Sequence, residues 1–134
     1  MVRWKNKIKP SVIDDLTDST DFIPTIRDAA QKPLSADTKM DGVSFYPRLF
    51  DCEGTPKDFI YCFYDPRPGW DKDQFARLVW VRDKRYKLYE DGRLFDISGD
   101  VLEKKPVLYN HDSYQTRKVR LKLQEVLKAM QKPL

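Results

Sequence analysis

The sequence predicts an α+β fold in which a small four-stranded antiparallel sheet is covered by a C-terminal helix. Three observations carry the prediction. Asp91-Gly92 lies between short apolar-rich runs, which is a hairpin signal. The runs "KDFIYCFY" (57–64) and "FARLVWVR" (75–82) are β-branched and aromatic, as strands are. Within 113–131, Val119, Leu123, Val126, Leu127 and Met130 recur at helical spacing and form one stripe, the complement of a sheet with one apolar face.

Taken in order, "MVRW" is short and apolar, and if it is a strand its partners come from elsewhere, which is a hint of truncation. "STDFIPTIRDAAQK" (19–32) predicts a helix with Ser19 or Thr20 as N-cap, Asp21 meeting the free amides, and Pro24 tolerated in the first turn. Phe22, Ile26 and Ala29 or Ala30 are its expected apolar face. "DGVSFYPRLF" (41–50) reads as a turn followed by one helical turn or a short irregular segment. The strand 57–64 then leads into the loop "DPRPGW" (65–70), which its two prolines and glycine impose. For the hairpin, a two-residue type I′ turn at Asp91-Gly92 sets Tyr89 opposite Leu94, Leu88 opposite Phe95, Lys87 opposite Asp96 and Tyr86 opposite Ile97. One face would carry Tyr86, Leu88, Phe95 and Ile97; the other would carry Tyr89, Leu94 and a Lys87–Asp96 charge pair. A tight turn around Asp83-Lys84 would place Val81 opposite Tyr86 and Val79 opposite Leu88. After Pro106 the chain crosses to the final helix.

The 134 residues suffice for one modest core, and 40% hydrophobic with 13% aromatic content favours a folded chain. No apolar run approaches the ~20 residues that cross a bilayer. "MVRWKNKIKP" lacks an apolar stretch after its basic residues, so no signal peptide is expected. The net charge of +4 arises from 25 basic and 21 acidic residues that interleave, so nucleic acid is not an expected partner.

Candidate chemistry is sparse. His111, the lone histidine, falls in a loop with no partner nucleophile or metal ligand nearby in sequence. Asp14, Asp15, Asp18 and Asp21 lack the alternating oxygen ligands and turn glycine of a calcium loop, and read as helix-start and loop carboxylates. Cys62 lies among strand aromatics, Cys52 has no activating cation in sequence reach, and whether the two pair is left open. There is no phosphate-cradling glycine loop and no nucleophile elbow. "YDPRPGW" holds the most promising set: an arginine and a tryptophan on a stiff loop supply an anion clamp and a stacking face, or simply a rigid connector.

The succession "VRW…KIKP", "STDFIPTIRDAA", "DGVSFYPRL" and "FARLVWVRDKRYKLYEDGRLFDISGDVLEKKP" resembles the C-terminal part of the type I sulfatases, the formylglycine-dependent arylsulfatase-like enzymes. The resemblance runs over about residues 2 to 106. Lys5-Asn6 stand where family members usually have Pro-Gly, Ser11 where they have glycine, and Val101 where they have proline. The resemblance implies that residues 1–56 are a remnant strand and helix of an α/β catalytic domain with its connector. Residues 57–134 would be the C-terminal subdomain.

For the parent enzyme the resemblance implies sulfate-ester hydrolysis with formylglycine and calcium, a sulfated substrate, and an exported, periplasmic or lysosome-like setting. The family nucleophile lies in Cys/Ser-x-Pro-x-Arg. Neither cysteine here qualifies, since Gly54 follows Cys52 where proline is required and Pro66 and Arg67 lie too far beyond Cys62. The calcium aspartates would also lie upstream. No catalytic residue, metal ligand or cofactor is therefore expected in this chain, whose partner would be the missing N-terminal catalytic domain. Tyr64, Arg67 and Trp70 are expected nearest the parent's pocket as substrate-shaping residues. The alternative is a free-standing module that binds sulfated or other anionic glycans through the Arg67–Trp70 loop.

Overall fold

The computed structural model describes residues 1–32, 38–50, 54–65 and 76–131. The chain divides into two compact units, Met1–Asp58 and Phe59–Leu134. Helix α1 spans Phe22–Ala29, strands β1 to β4 span Ile60–Tyr64, Leu78–Arg82, Tyr86–Tyr89 and Leu94–Asp96, and helix α2 spans Tyr114–Met130.

In the first unit the residues of "MVRW" form no strand. Their chain instead turns back through amide bonds from Lys7 and Ile8 to the Trp4 carbonyl, at 3.1 Å each. Helix α1 is entered through a 3-10 turn, Ser19–Asp21. The cap is Asp18, not Ser19 or Thr20: its carboxylate accepts from the Thr20 amide at 2.8 Å, while the Asp21 carboxylate accepts from the Asp18 amide at 2.9 Å. This reciprocal pair satisfies two of the amides that a helix start leaves open. The buried residues of α1 are Pro24 and Thr25, whereas Phe22, Ile23 and Ile26 are 50–63% exposed. The expected apolar face thus points outward. A single 3-10 turn at Pro47–Leu49 follows, as "YPRL" suggested.

The second unit is the predicted sheet and helix. Its four strands lie in the order β1-β2-β3-β4, all antiparallel. Both turn registers differ by a residue or more from expectation. At the hairpin, the Tyr89 amide donates to Arg93 O at 2.9 Å and the Gly92 amide to Tyr89 O at 3.0 Å. Gly92 has φ +90 and Asp91 is not left-handed. The connection is therefore a three-residue loop with a glycine bulge, not a type I′ turn. One extra residue on the turn shifts every pair: Leu88 faces Leu94, Lys87 faces Phe95 and Tyr86 faces Asp96. The predicted Lys87–Asp96 pair is absent; Asp96 binds Arg85 at 2.7 Å instead.

At the β2–β3 turn the Asp83 amide donates to Tyr86 O at 3.0 Å, and the Asp83 carboxylate accepts from the Arg85 and Tyr86 amides at 2.7 and 2.6 Å. The aspartate thus caps a turn centred on Lys84-Arg85, so Val81 faces Leu88, not Tyr86.

The core lies between the sheet and α2. Val79, Val81, Tyr86, Leu88, Leu94, Leu123 and Leu127 are buried, with Tyr61, Val107, Val119 and Val126 packed around them. Met130, expected in the stripe, is 40% exposed. Ser113 caps α2 by accepting from the Thr116 amide at 3.2 Å.

Arg120 is buried in this unit with all three guanidinium nitrogens engaged. It pairs with the Asp112 carboxylate at 2.8 and 3.0 Å and donates to Gly92 O at 2.9 Å and Val107 O at 2.7 Å. Its guanidinium carbon lies 4.1 Å from the centre of the Tyr109 ring. One side chain of α2 thereby joins the hairpin loop to the segment that crosses to the helix. Removing one partner of such a pair strands the other, so Arg120→Met is expected to cost about 3–5 kcal/mol. Urea denaturation should show that loss, and a cost below about 1 kcal/mol would refute the joining role.

Candidate functional site

Two polar constructions stand out, one in each unit. In the first unit, the carboxylate of Asp21 is the focus. Its residue is 2% exposed. One oxygen accepts from the Val43 amide at 2.8 Å and pairs with Lys57 Nζ at 2.6 Å; the other takes the Asp18 amide. Lys57 also reaches Asp18 Oδ2 at 2.8 Å. Burial alone would lower the Lys57 pKa, but hydrogen bonds to Asp18 and Asp21 outweigh it and raise the group above its ordinary value. Burial would likewise raise Asp18, and bonds from Lys57 and Thr20 leave it lowered.

The Thr25 hydroxyl donates to Asp21 O at 2.6 Å and accepts from the Phe45 amide at 3.0 Å. Segment 42–45 is thus laced to the start of α1. Gly42 permits the approach, because a Cβ there would stand 2.0 Å from Thr20 O. A cavity of about 830 Å³ opens beside this network, walled by Trp4, Leu16, Phe22, Val43 and Phe45. Its lining mixes these apolar side chains with the cations of Arg3, Lys5, Lys9 and Arg48 and the carboxylate of Asp15, and Asp21 and Lys57 meet at its wall. Asp15, another of the four acidic residues noted above, instead binds Arg48 at 2.7 Å, and Asp14 is exposed.

In the second unit, pairing places Cys62, Trp80 and Tyr89 side by side on the sheet face opposite α2, with Lys87 beside Tyr89. Lys87 Nζ lies 4.5 Å from the Trp80 ring centre and 4.8 Å from that of Tyr89. It donates to Glu103 Oε1 at 2.7 Å, while the Tyr89 hydroxyl donates to Glu103 Oε2 at 2.6 Å. Burial would raise the Glu103 pKa, yet the bonds from Lys87 and Tyr89 lower it; burial and the Glu103 bond raise Tyr89. Glu103 has φ +52, so a non-glycine residue holds a left-handed backbone here to deliver its carboxylate.

Of the predicted site residues, Tyr64 ends β1 and is 43% exposed. Arg67, Trp70 and Cys52 lie outside the described residues. Cys62 is a free thiol opposite Trp80, and His111 is exposed in a 3-10 turn, Tyr109–His111. Among the described residues no group of three or more His, Cys, Asp or Glu side chains could hold a metal ion. No helix among them is long and apolar enough to cross a membrane. Sequence reading missed Lys57, whose partners lie 36 to 39 positions away. It had a signal for the cap, since Asp18 and Asp21 carry the spacing of a reciprocal box.

No family model matches the chain. Over 48 residues, 36% of its length, it is 46% identical to "Uncharacterized sulfatase YdeN" of Escherichia coli (strain K12), of which that stretch is 9%. The fold is similar, with a TM-score of 0.61 and 22% identity, to the solved structure described as "Structure of BT4656 in complex with its substrate D-Glucosamine-2-N, 6-O-disulfate". That match covers 83% of this chain and 23% of the other. The chain therefore resembles a protein named a sulfatase over one stretch of sequence and shares the fold of part of a second protein over most of its length, and it spans under a quarter of either.

Two predictions follow from the electrostatics. Lys57→Met should leave Asp21 without its cation and cost about 3 kcal/mol locally, seen as faster hydrogen exchange at the Val43 amide; unchanged exchange would contradict the network. In the second unit, Arg85 and Ser98 hold Asp96 down to about 2 from an ordinary 3.8, and Asp112 is lowered chiefly by Arg120. Groups with depressed folded values stabilise fully above their unfolded values, so the chain should lose stability as pH falls from about 4 towards 2. Urea midpoints across that range check this, and Asp96→Asn should flatten the slope.

Proposed function

We propose that this chain is the C-terminal part of a sulfatase whose complete form hydrolyses sulfate esters with formylglycine and calcium, and that the chain itself serves as scaffold. The 46% identity to a protein named a sulfatase, over a stretch that is 9% of that protein, carries the reading. The match in fold to under a quarter of a sugar-sulfate-binding protein supports it.

The described residues do not fit either implied group. They offer no metal-binding cluster, and Phe63 and Tyr64 follow Cys62 where a formylglycine precursor needs proline two residues on. Among the described residues, without an activated nucleophile or a Lewis acid, little is offered to stabilise a transition state at sulfur. What these residues do supply is rigidity: a four-stranded antiparallel sheet, a capped helix and paired charges.

Residues 1–56 are read as a remnant of the α/β catalytic domain with its connector, and 57–134 as the C-terminal subdomain. The outward apolar face of α1 supports this, because Phe22, Ile23 and Ile26 left in water imply a covering surface in the parent. Tyr64, with Arg67 and Trp70 of the loop after it, is assigned to the neighbourhood of the parent's pocket as a substrate-shaping group.

The isolated chain is expected to show no turnover of an aryl sulfate. Activity above background that persists when Cys52 and Cys62 are both replaced by alanine would overturn the scaffold assignment. Titration with a sulfated polysaccharide at low salt should also give no saturable binding. Binding that is lost in Arg67→Ala would favour a glycan-binding module instead.

A further inference from the structure

Helix α2 turns one side to the sheet and the other to water. The outer side carries four exposed cations, Arg117, Lys118, Lys122 and Lys128, and two apolar side chains, Tyr114 and Leu121, which are 87% and 54% exposed. At 3.6 residues per turn these six fall within an arc of about 140°, opposite the buried Leu123 and Leu127. Glu125 is the only acid of the helix. No ion pair among the described residues reaches Lys118, Lys122 or Lys128. Arg117 acts on Asp112 at a distance, but that carboxylate is already bound by Arg120.

The stripe opposes the helix that bears it. The first turn of α2 holds no acid, and Arg117 and Lys118 stand one turn from its positive end, where cations are unfavourable. Lys118 and Lys122 are like charges four positions apart, which repel across one turn. A face so charged gains when anions come to it. The apolar face of α2 is already packed into the core, so the helix is not available to fill a partner's groove. What stays outside is a convex ridge, with Lys118 and Lys128 roughly 15 Å apart along the axis and Leu121 between them. A bilayer interface matches that pattern, with phosphates for the cations at its surface and apolar depth below for a leucine and a ring. A dissolved polyanion offers the charge without the depth. We propose that the outer face of α2 docks on anionic phospholipid, with the helix lying along the membrane surface. This goes beyond the sulfatase reading and does not depend on it.

Sedimentation of the whole chain with phosphatidylcholine vesicles, with and without phosphatidylglycerol, tests the docking. Binding is expected only when phosphatidylglycerol is present, and it should weaken as salt rises. Lys118→Ala combined with Lys122→Ala should reduce it at least about tenfold. Alanine is the best helix former, so far-UV circular dichroism should show the helix kept. Lys5→Ala combined with Lys9→Ala removes the same charge from the first unit and should leave binding nearly unchanged. Leu121→Ser should weaken binding severalfold at constant net charge. No binding to the phosphatidylglycerol vesicles overturns the proposal. So does an equal loss in the two double variants, which traces the binding to net charge alone. Retention by immobilised polyglutamate, together with no effect of Leu121→Ser on the vesicles, also overturns it and assigns the face to an acidic protein segment.

Discussion

A guanidinium closed inside the second unit is the constraint on which that unit rests. Arg120 is 1% exposed, and a cation so placed is tolerated only when its charge and its donors are all answered. The answers come from three separate places: the Asp112 carboxylate before α2, the Val107 carbonyl on the crossing segment and the Gly92 carbonyl in the hairpin loop. Leu123 and Leu127 supply the apolar contact between helix and sheet, but apolar contact alone permits sliding. The arginine fixes where along the sheet the helix lies. The glycine bulge takes part in this, because the loop that shifts the register also presents the Gly92 carbonyl that Arg120 meets.

The first unit uses the opposite polarity of the same device. Its buried charge is the Asp21 carboxylate, answered by Lys57 and by the amides of Asp18 and Val43. Helix α1 has eight residues, and a helix that short is marginal without tertiary support. Its support here is polar, concentrated at its first turn, while Ile23 and Ile26 are exposed and Phe22 packs edge-on against Phe45 with half its surface uncovered.

The existence of each strand and of the lid helix could be read from the sequence, because hydrophobic period is local. Register was less legible. Asp91-Gly92 supports either a two-residue turn or a glycine bulge, and the choice moved Leu94 to the core face and Phe95 to the other. The side on which α1 hides its apolar residues was also not legible, since periodicity defines a stripe without saying what covers it. Lys57 and Glu103 act through contacts 14 to 39 positions away, beyond the reach of any spacing argument. Of the predicted pocket-side set, only Tyr64 lies within the described residues.

Glu103 sits under two demands that no other side chain meets together. Its backbone would rest more easily with glycine, by about 1 kcal/mol, yet glycine has no carboxylate to hold the ammonium of Lys87 and the phenol of Tyr89. Asparagine accepts the backbone shape but is neutral and one methylene too short. The position is thus narrowed to a single residue type by conformational cost on one side and by reach and charge on the other.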